Sequence, residues 1–346
     1  MEDFLNMDDK ELKKLHVMQD YGIDISRMDD IVIKKLPETD EEWLAGRGKY
    51  LGGSEAAAIL NRNPYESPLS IYAAKVDGRK KDLSKVVSVI KGKELEDFIL
   101  ENKFKPKYTD YRVVKPNHLF TLKKYPFIAA NLDGIAVPKD ENSDLKPFIN
   151  EIKYTSSYGE QLWDDGIPDY YWIQTQQYMH ILGMETTILG VLKESTWQMT
   201  FYEIEYDADF CNKTLIPALV DFWENHIVPK IPPKASSKDP EYLKKEMEDI
   251  KEFTEDVNLL ELAEQYTNIK EEMKQLKKKE NELKELVVSA YTDGRIPPKD
   301  DFKVSLSVVE RFDLDTARIK EDYPEIAKQC VKDVTYSTLR VTKKKK

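Results

Sequence analysis

Two short stretches, Ala130-Asn131-Leu132-Asp133-Gly134 and Phe148-Ile149-Asn150-Glu151-Ile152-Lys153, decide how the chain is read. The second is the kind of apolar run that fills a buried strand, yet it carries Glu151 and Lys153. Strand residues i and i+2 point to one face, so the two project together. An unpaired Glu or Lys is costly in such a strand, which calls for a reason. Asp133 precedes Gly134 at a bend and can reach the same face from a neighbouring strand. Carboxylates of this kind bind a hard divalent ion such as Mg²⁺ through oxygen. The ion lowers the pKa of a bound water, and a lysine beside it orients that water or stabilises charge on a phosphate. Taken alone, D…E-x-K recurs by chance in many chains, where its members are ordinary surface charges.

Working outward, Val86, Val89, Ile90, Leu95, Phe98 and Ile99 form an apolar stripe that predicts a helix over 86–103, with Glu96 inside it. Strands are expected at 111–114, 127–130, 134–137, 148–153, 186–193 and 198–206. Helices are expected at 169–182, carrying Gln174 and Gln176, and at 210–226. This order predicts an α/β (α+β) protein with a central mixed sheet flanked by helices, not a doubly wound sheet with a Gly-rich loop. Ser54 reads as the cap of a helix over 54–60, after Gly52-Gly53. Further helical turns are expected from Ser70 to Lys75.

Residues 1–38 are charged and weakly patterned, a lead-in to a domain over 39–233 that Ile231-Pro232-Pro233 closes. Lys234 to Pro240 reads as a polar linker. In the charged segment 234–298, Leu259, Leu262, Tyr266, Ile269, Met273, Leu276, Leu283 and Val287 fall on heptad steps that only Glu280 interrupts, predicting a coiled coil or helical hairpin. Residues 299–346 read as a small strand–helix–strand segment, with strands at 302–312 and 335–341, a helix at 314–330 and a basic tail at 343–346.

With 346 residues, 40% of them hydrophobic, the chain can bury a sizeable core without disulfides. No apolar run approaches the roughly 18 residues of a membrane helix, and the acidic start lacks a basic n-region, so no membrane partner and a cytoplasmic location are expected. Cys211 and Cys330 make no framework, which suits a reducing compartment. With four His, they argue against zinc, and two cysteines cannot hold a four-Cys iron–sulfur cluster. A net charge of −11 argues against coating nucleic acid over the whole surface, although basic residues can still line a local groove. Lys75, Arg79, Lys80, Lys81, Lys91 and Lys93 are the candidates, each ordinarily a solvated charge. Tyr170, Tyr171, Trp172 and Tyr178 are either core or stacking surfaces for bases, core being commoner at helical spacing.

Four ordered blocks carry a family resemblance: Trp43-x-x-x-Arg47 with Leu51-Gly52-Gly53-Ser54-Glu55-Ala56-Ala57-Ala58-Ile59-Leu60 and Asn63-Pro64-Tyr65; Gly92-Lys93-Glu94-Leu95-Glu96; Asp133-Gly134 with Glu151-Ile152-Lys153; and Tyr170-Tyr171-Trp172-Ile173-Gln174-Thr175-Gln176-Gln177-Tyr178-Met179. Over roughly residues 40–230 the sequence resembles the lambda-exonuclease/YqaJ-type viral recombinase nucleases, a branch of the PD-(D/E)xK superfamily. Leu132 departs from the proline that the family often has before the Asp. The resemblance implies a restriction-endonuclease-like core in 39–233 and Asp133, Glu151 and the Ile152 carbonyl as metal ligands. Lys153 would position the attacking water, Glu96 would bind a second metal directly or through water, and Gln174 would sit beside the site. Arg47 and Ser54 would hold a 5′-phosphate, with Gln176 among the DNA-binding groups; a surface salt bridge and a plain helix cap are the ordinary roles of Arg47 and Ser54. Leu51 is a candidate wedge at the duplex end.

The implied activity is Mg²⁺-dependent 5′→3′ digestion of linear duplex DNA, with Mn²⁺ substituting and one or two ions bound. It leaves 3′ single strands for an annealing protein in phage-type recombination, in a bacterial host's cytoplasm. Family members include ring-shaped trimers, so a homo-oligomer is expected. The rival readings are a non-catalytic end-binding scaffold, which would be expected to have lost a carboxylate or the lysine, and a repair nuclease of other polarity.

Overall fold

Helix α1 (Asp9–Asp20) begins where the Asp8 carboxylate accepts the Lys10 and Glu11 amides and Glu11 returns the favour to the Asp8 amide, a reciprocal cap. Its Leu15 and Met18 are buried, as are Ile23 and Ile31 beyond it. Ile31 opens β1 (Ile31–Lys35), which pairs antiparallel with β4 (His118–Leu122). Residues 9–35 are therefore built into the protein and are not a lead-in; their few apolar residues are spaced to reach one core through charged surroundings. The computed structural model describes residues 7–39, 42, 46–78, 86–250, 252, 254–297, 304, 306, 316–329 and 336. It divides into two units, Met1–Asp239 and Pro240–Lys346.

The first unit holds two sheets. In the smaller, the order is β1, β4, β5 (Ile128–Ala130), β2 (Leu51–Gly52), with β2 parallel to β5. Helices α2 (Gly53–Ile59) and α3 (Pro68–Val76) follow β2. The larger sheet runs β3 (Tyr111–Val114), β6 (Gly134–Pro138), β7 (Phe148–Thr155), β8 (Thr186–Lys193), β9 (Met199–Glu205). Only β7 and β8 are parallel, and a parallel pair needs a crossover. Helix α5 (Asp169–Leu182) supplies it, packing on β7 and β8 and also on β4 and β5 of the smaller sheet. Helix α4 (Val87–Ile99), prolonged by a π-turn at Leu100–Phe104, covers the opposite face of the larger sheet. There Ile99, Leu100 and Phe104 meet Val113, Ala136, Phe148, Ile152, Ile188 and Leu192 in one buried cluster. The α/β class with a mixed sheet flanked by helices is thus as expected.

The polar stretch 234–239 is docked rather than free. Buried Asp239 accepts hydrogen bonds from the Ser67 hydroxyl at 2.5 Å and from the Ser236 amide and hydroxyl, so the first unit ends at Asp239, past the expected 233. In the second unit, α6 (Pro240–Asp249) precedes α7 (Val257–Thr292), a single helix of 36 residues capped by Asp256. The heptad segment is one unbroken helix, not a hairpin, and Leu262, Ile269, Met273 and Leu276 lie exposed on it. Short helices follow at Thr316–Asp322 and Pro324–Gln329, inside the expected 314–330. Most of the two expected terminal strands, the basic tail, Cys330, Trp43 and Arg79 to Lys81 lie outside the described residues.

Candidate active site

Strand β7 alternates: Phe148 and Ile152 pack toward α4, so Ile149, Glu151 and Lys153 face α5. Glu151 is 1% exposed. Its Oε1 accepts hydrogen bonds from Lys153 Nζ and, at 2.5 Å, from Gln174 Nε2 on α5. Gln174 Nε2 also lies 3.0 Å from the Tyr178 hydroxyl, one helical turn on. Glu151 Oε2 is buried and has no hydrogen-bond partner among the described residues. Asp133, at the entrance to β6, accepts the Ile152 amide at 2.9 Å, which binds the two carboxylate-bearing strands side by side. The Lys153 ammonium stands 5.1 Å from the centre of the Tyr171 ring, and Tyr171 in turn stacks on buried Trp163.

Burial, then the charge of Glu151, pushes the Asp133 carboxyl well above its ordinary value, with Lys153 opposing. Burial likewise raises Glu151 against the pull of Lys153. Burial works against the Lys153 ammonium, but Glu151 and Asp133 outweigh it and hold the proton on. Buried Glu151 and half-buried Asp133 share one lysine, and one Glu151 oxygen has no partner among the described residues. That deficit of positive charge is what a hard cation bound through Asp133, Glu151 and the Ile152 carbonyl would fill.

Glu96, on α4, is near enough to act electrostatically on both acids. Its carboxylate, however, is engaged by Lys115 Nζ at 2.8 Å, which also holds Asp97 at 2.8 Å. Among the described residues no three His, Cys, Asp or Glu side chains converge as a metal cluster. The Glu96 carboxylate is thus taken up by Lys115 and does not join Asp133 and Glu151.

Arg47 and Ser54 come together as well, with Arg47 Nη2 donating to Ser54 Oγ at 3.0 Å. Ser54 is not the helix cap. Glu55 Oε2 accepts the Gly52 amide at 3.0 Å and takes that role, leaving the serine hydroxyl exposed in the first turn of α2. Gly53 brings this segment against α5: a Cβ there would fall 2.6 Å from the Tyr178 ring and 3.0 Å from the Gln174 carbonyl.

Other expected residues are placed elsewhere. Gln176 is fully buried and spends its amide on the Glu205 carbonyl and the Asp207 amide, because i and i+2 on a helix point apart and Gln176 cannot share the face of Gln174. Leu51 is buried in β2 and is no wedge. Lys75 is buried in an ion pair with Glu55, which takes it out of any open basic groove, whereas Lys91 pairs with Glu194 at the surface. Lys115 was not foreseen; Tyr171 and Tyr178, expected as core or base-stacking rings, stand beside Lys153 and Gln174, three before and four after Gln174, the spacing of one helix face.

In the chain that pairs this central sheet with a buried acid–lysine–glutamine site, residues 42–185 match the model of the YqaJ-like viral recombinase domain. It is 26% identical over 319 residues, 90% of this chain and 97% of the relative, to the uncharacterized protein YqaJ of Bacillus subtilis (strain 168). That likeness extends past the first unit, which ends at Asp239. Among solved structures, an alkaline exonuclease (LHK-Exo) from Laribacter hongkongensis is 18% identical with a TM-score of 0.44, covering 60% of this chain and 97% of that one. A phage related exonuclease from Haemophilus somnus 129PT is 13% identical with a TM-score of 0.31, covering 53% and 96%. No helix among the described residues is long and apolar enough to cross a membrane.

Proposed function

We propose that the protein is a divalent-metal-dependent deoxyribonuclease that resects linear duplex DNA 5′→3′ and leaves 3′ single strands for recombination by annealing. The observation that carries this reading is Glu151, buried on β7 with one oxygen bonded to Lys153 and Gln174 and the other unpartnered among the described residues, opposite Asp133. The viral recombinase domain supports it independently.

In this reading Asp133, Glu151 and the Ile152 carbonyl would hold Mg²⁺, or Mn²⁺ in its place. The bound ion supplies Lewis acidity and a more acidic water. Lys153, fixed between Glu151 and Tyr171, would orient the attacking water and offer positive charge to the scissile phosphate. Gln174 keeps the Glu151 carboxylate turned toward Asp133 through its 2.5 Å hydrogen bond. Arg47 and Ser54 grip the terminal 5′-phosphate, a planar guanidinium and a hydroxyl being suited to phosphate oxygens. Glu96 completes a second ion site once freed from Lys115. A ring-shaped homo-oligomer would let basic residues face the DNA while the net charge stays at −11. The product strands pass to an annealing protein in a bacterial host's cytoplasm.

Digestion of linear duplex DNA labelled at either end, with Mg²⁺ or EDTA, tests the reading, using a covalently closed circle and Glu151→Ala as controls. Metal-dependent release of the 5′ label from linear DNA alone, lost in the variant, is expected. Cutting of the circle would make it an endonuclease, and no cutting at all would leave an end-binding scaffold.

A further inference from the structure

Lys75 is the most enclosed ammonium near the candidate site, its side chain only 3% exposed, and it comes from a different element than the groups it touches. It stands near the end of α3 and reaches the segment that joins Arg47 to α2. There its Nζ donates to the Arg47 carbonyl at 3.1 Å and the Tyr50 carbonyl at 2.5 Å, and pairs with Glu55 Oε2 at 2.8 Å. An ammonium has three N–H donors, and these three acceptors use them. The same Glu55 oxygen accepts the Gly52 amide. One buried ion pair thus ties the backbone at Arg47, Tyr50 and Gly52.

The segment needs such ties. Its regular structure is one short 3₁₀ turn, Arg47–Lys49, and the two-residue strand β2. Yet its two ends, Arg47 and Ser54, must meet side chain to side chain at 3.0 Å. A buried ion pair is weak evidence for stability, because desolvation offsets the attraction, and its better-attested use is to specify one geometry.

We propose that Lys75 and Glu55 are positioning residues for the terminal phosphate of the DNA: they fix the segment from Arg47 to Ser54 so that guanidinium and hydroxyl are already converged when a 5′-phosphorylated end arrives. The inference rests on the reading of Arg47 and Ser54 as the phosphate grip. Neither Lys75 nor Glu55 touches the phosphate. Their effect is on how much of the binding energy is lost to ordering the loop.

The test compares cleavage of blunt linear duplexes ending in 5′-phosphate or 5′-hydroxyl by the full-length protein, with a thermal melt of each variant. Lys75→Met combined with Glu55→Gln removes both charges together, keeps an acceptor for the Gly52 amide and severs the ties at Arg47 and Tyr50. It is expected to melt cooperatively and to raise KM for phosphorylated ends about tenfold with little change in kcat, erasing most of the preference over hydroxyl ends. Lys75→Arg, which keeps a charge opposite Glu55 but cannot reproduce the compact three-way contact, is expected to lose preference in the same sense and serves if the double variant does not fold. A folded variant that keeps the wild-type preference, while Arg47→Ala loses it, overturns the positioning role and leaves the phosphate grip standing. Preference retained in Arg47→Ala overturns the grip and the inference with it.

Discussion

Lys153 and Lys115 are two ammonium groups set beside the acids of one site, and they are expected to behave oppositely when removed. Lys153 lies against Glu151 and under Tyr171, where the proposed chemistry needs a positive charge. Lys153→Met is expected to lower cleavage by about 100-fold or more while DNA binding in Ca²⁺ persists; a variant that cuts at the wild-type rate would remove the lysine from the mechanism. Lys115 instead occupies the carboxylate of Glu96. Lys115→Met frees that acid, so Mn²⁺ titrated by electron paramagnetic resonance, without DNA, is expected to bind more tightly or with an added equivalent. Unchanged binding would place Glu96 outside the metal centre. The pairing of Asp133, Glu151 and Lys153 was legible because the period of a strand is fixed and because charge is conspicuous in an apolar run. Gln176 misled although its spacing of two from Gln174 already put it on another side of the helix, where the Glu205 carbonyl and Asp207 amide claim it.

At the scale of elements, α2 and α5 are the pair that unites the two halves of the site. Gly53, Ala56 and Ala57 of α2 are buried and small, which lets the backbones approach closely. Gly53→Ala would drive a methyl to within 2.6 Å of the Tyr178 ring and 3.0 Å of the Gln174 carbonyl. About 1–3 kcal/mol of stability is expected to be lost, read from urea unfolding, together with part of the preference for phosphorylated ends. A variant as stable as wild type would mean the helices pack more loosely than described. The far end of α5 carries His180, whose Nδ1 lies 2.8 Å from the Tyr206 hydroxyl. Burial, then Arg27, holds its pKa below the ordinary 6.5. The unfolded chain therefore takes up that proton first as pH falls, so its contribution is full above pH about 6.5 and is lost as pH drops toward the lower folded value. His180→Gln is expected to lose less stability than wild type between pH 7.5 and 5.5, and equal pH dependence in urea midpoints would refute this. The strands of the larger sheet were readable from β-branched runs, as with Thr186 to Lys193. Strand β4 was missed although Leu119, Phe120 and Leu122 are buried, since Thr121 is buried with them and no alternation survives.

For the whole molecule, every described residue of the candidate site lies in Met1–Asp239, which also has its own core. Residues 1–239 expressed alone are expected to fold, melt cooperatively and retain metal binding. Failure to fold would mean that the second unit is needed for the first. Cutting instead at 233 would remove Asp239 from beneath Ser67 and leave the hydroxyl that caps α3 without its acceptor; the linker composition of 234–239 hid this anchor. The exposed apolar residues of α7 were visible as heptads, but their period fixes only that one face is apolar, and a hairpin and a single helix satisfy it equally.

Gly134 and Asn150 face each other across β6 and β7, and a Cβ on Gly134 would fall 2.2 Å from the Asn150 amide oxygen. Each stands next to an acid in the chain, Gly134 after Asp133 and Asn150 before Glu151. The two dipeptides are therefore expected to vary together. Across relatives that keep both acids, a side chain at position 134 is expected only where position 150 has shrunk, so drift at either position is recorded in its neighbour on the adjacent strand.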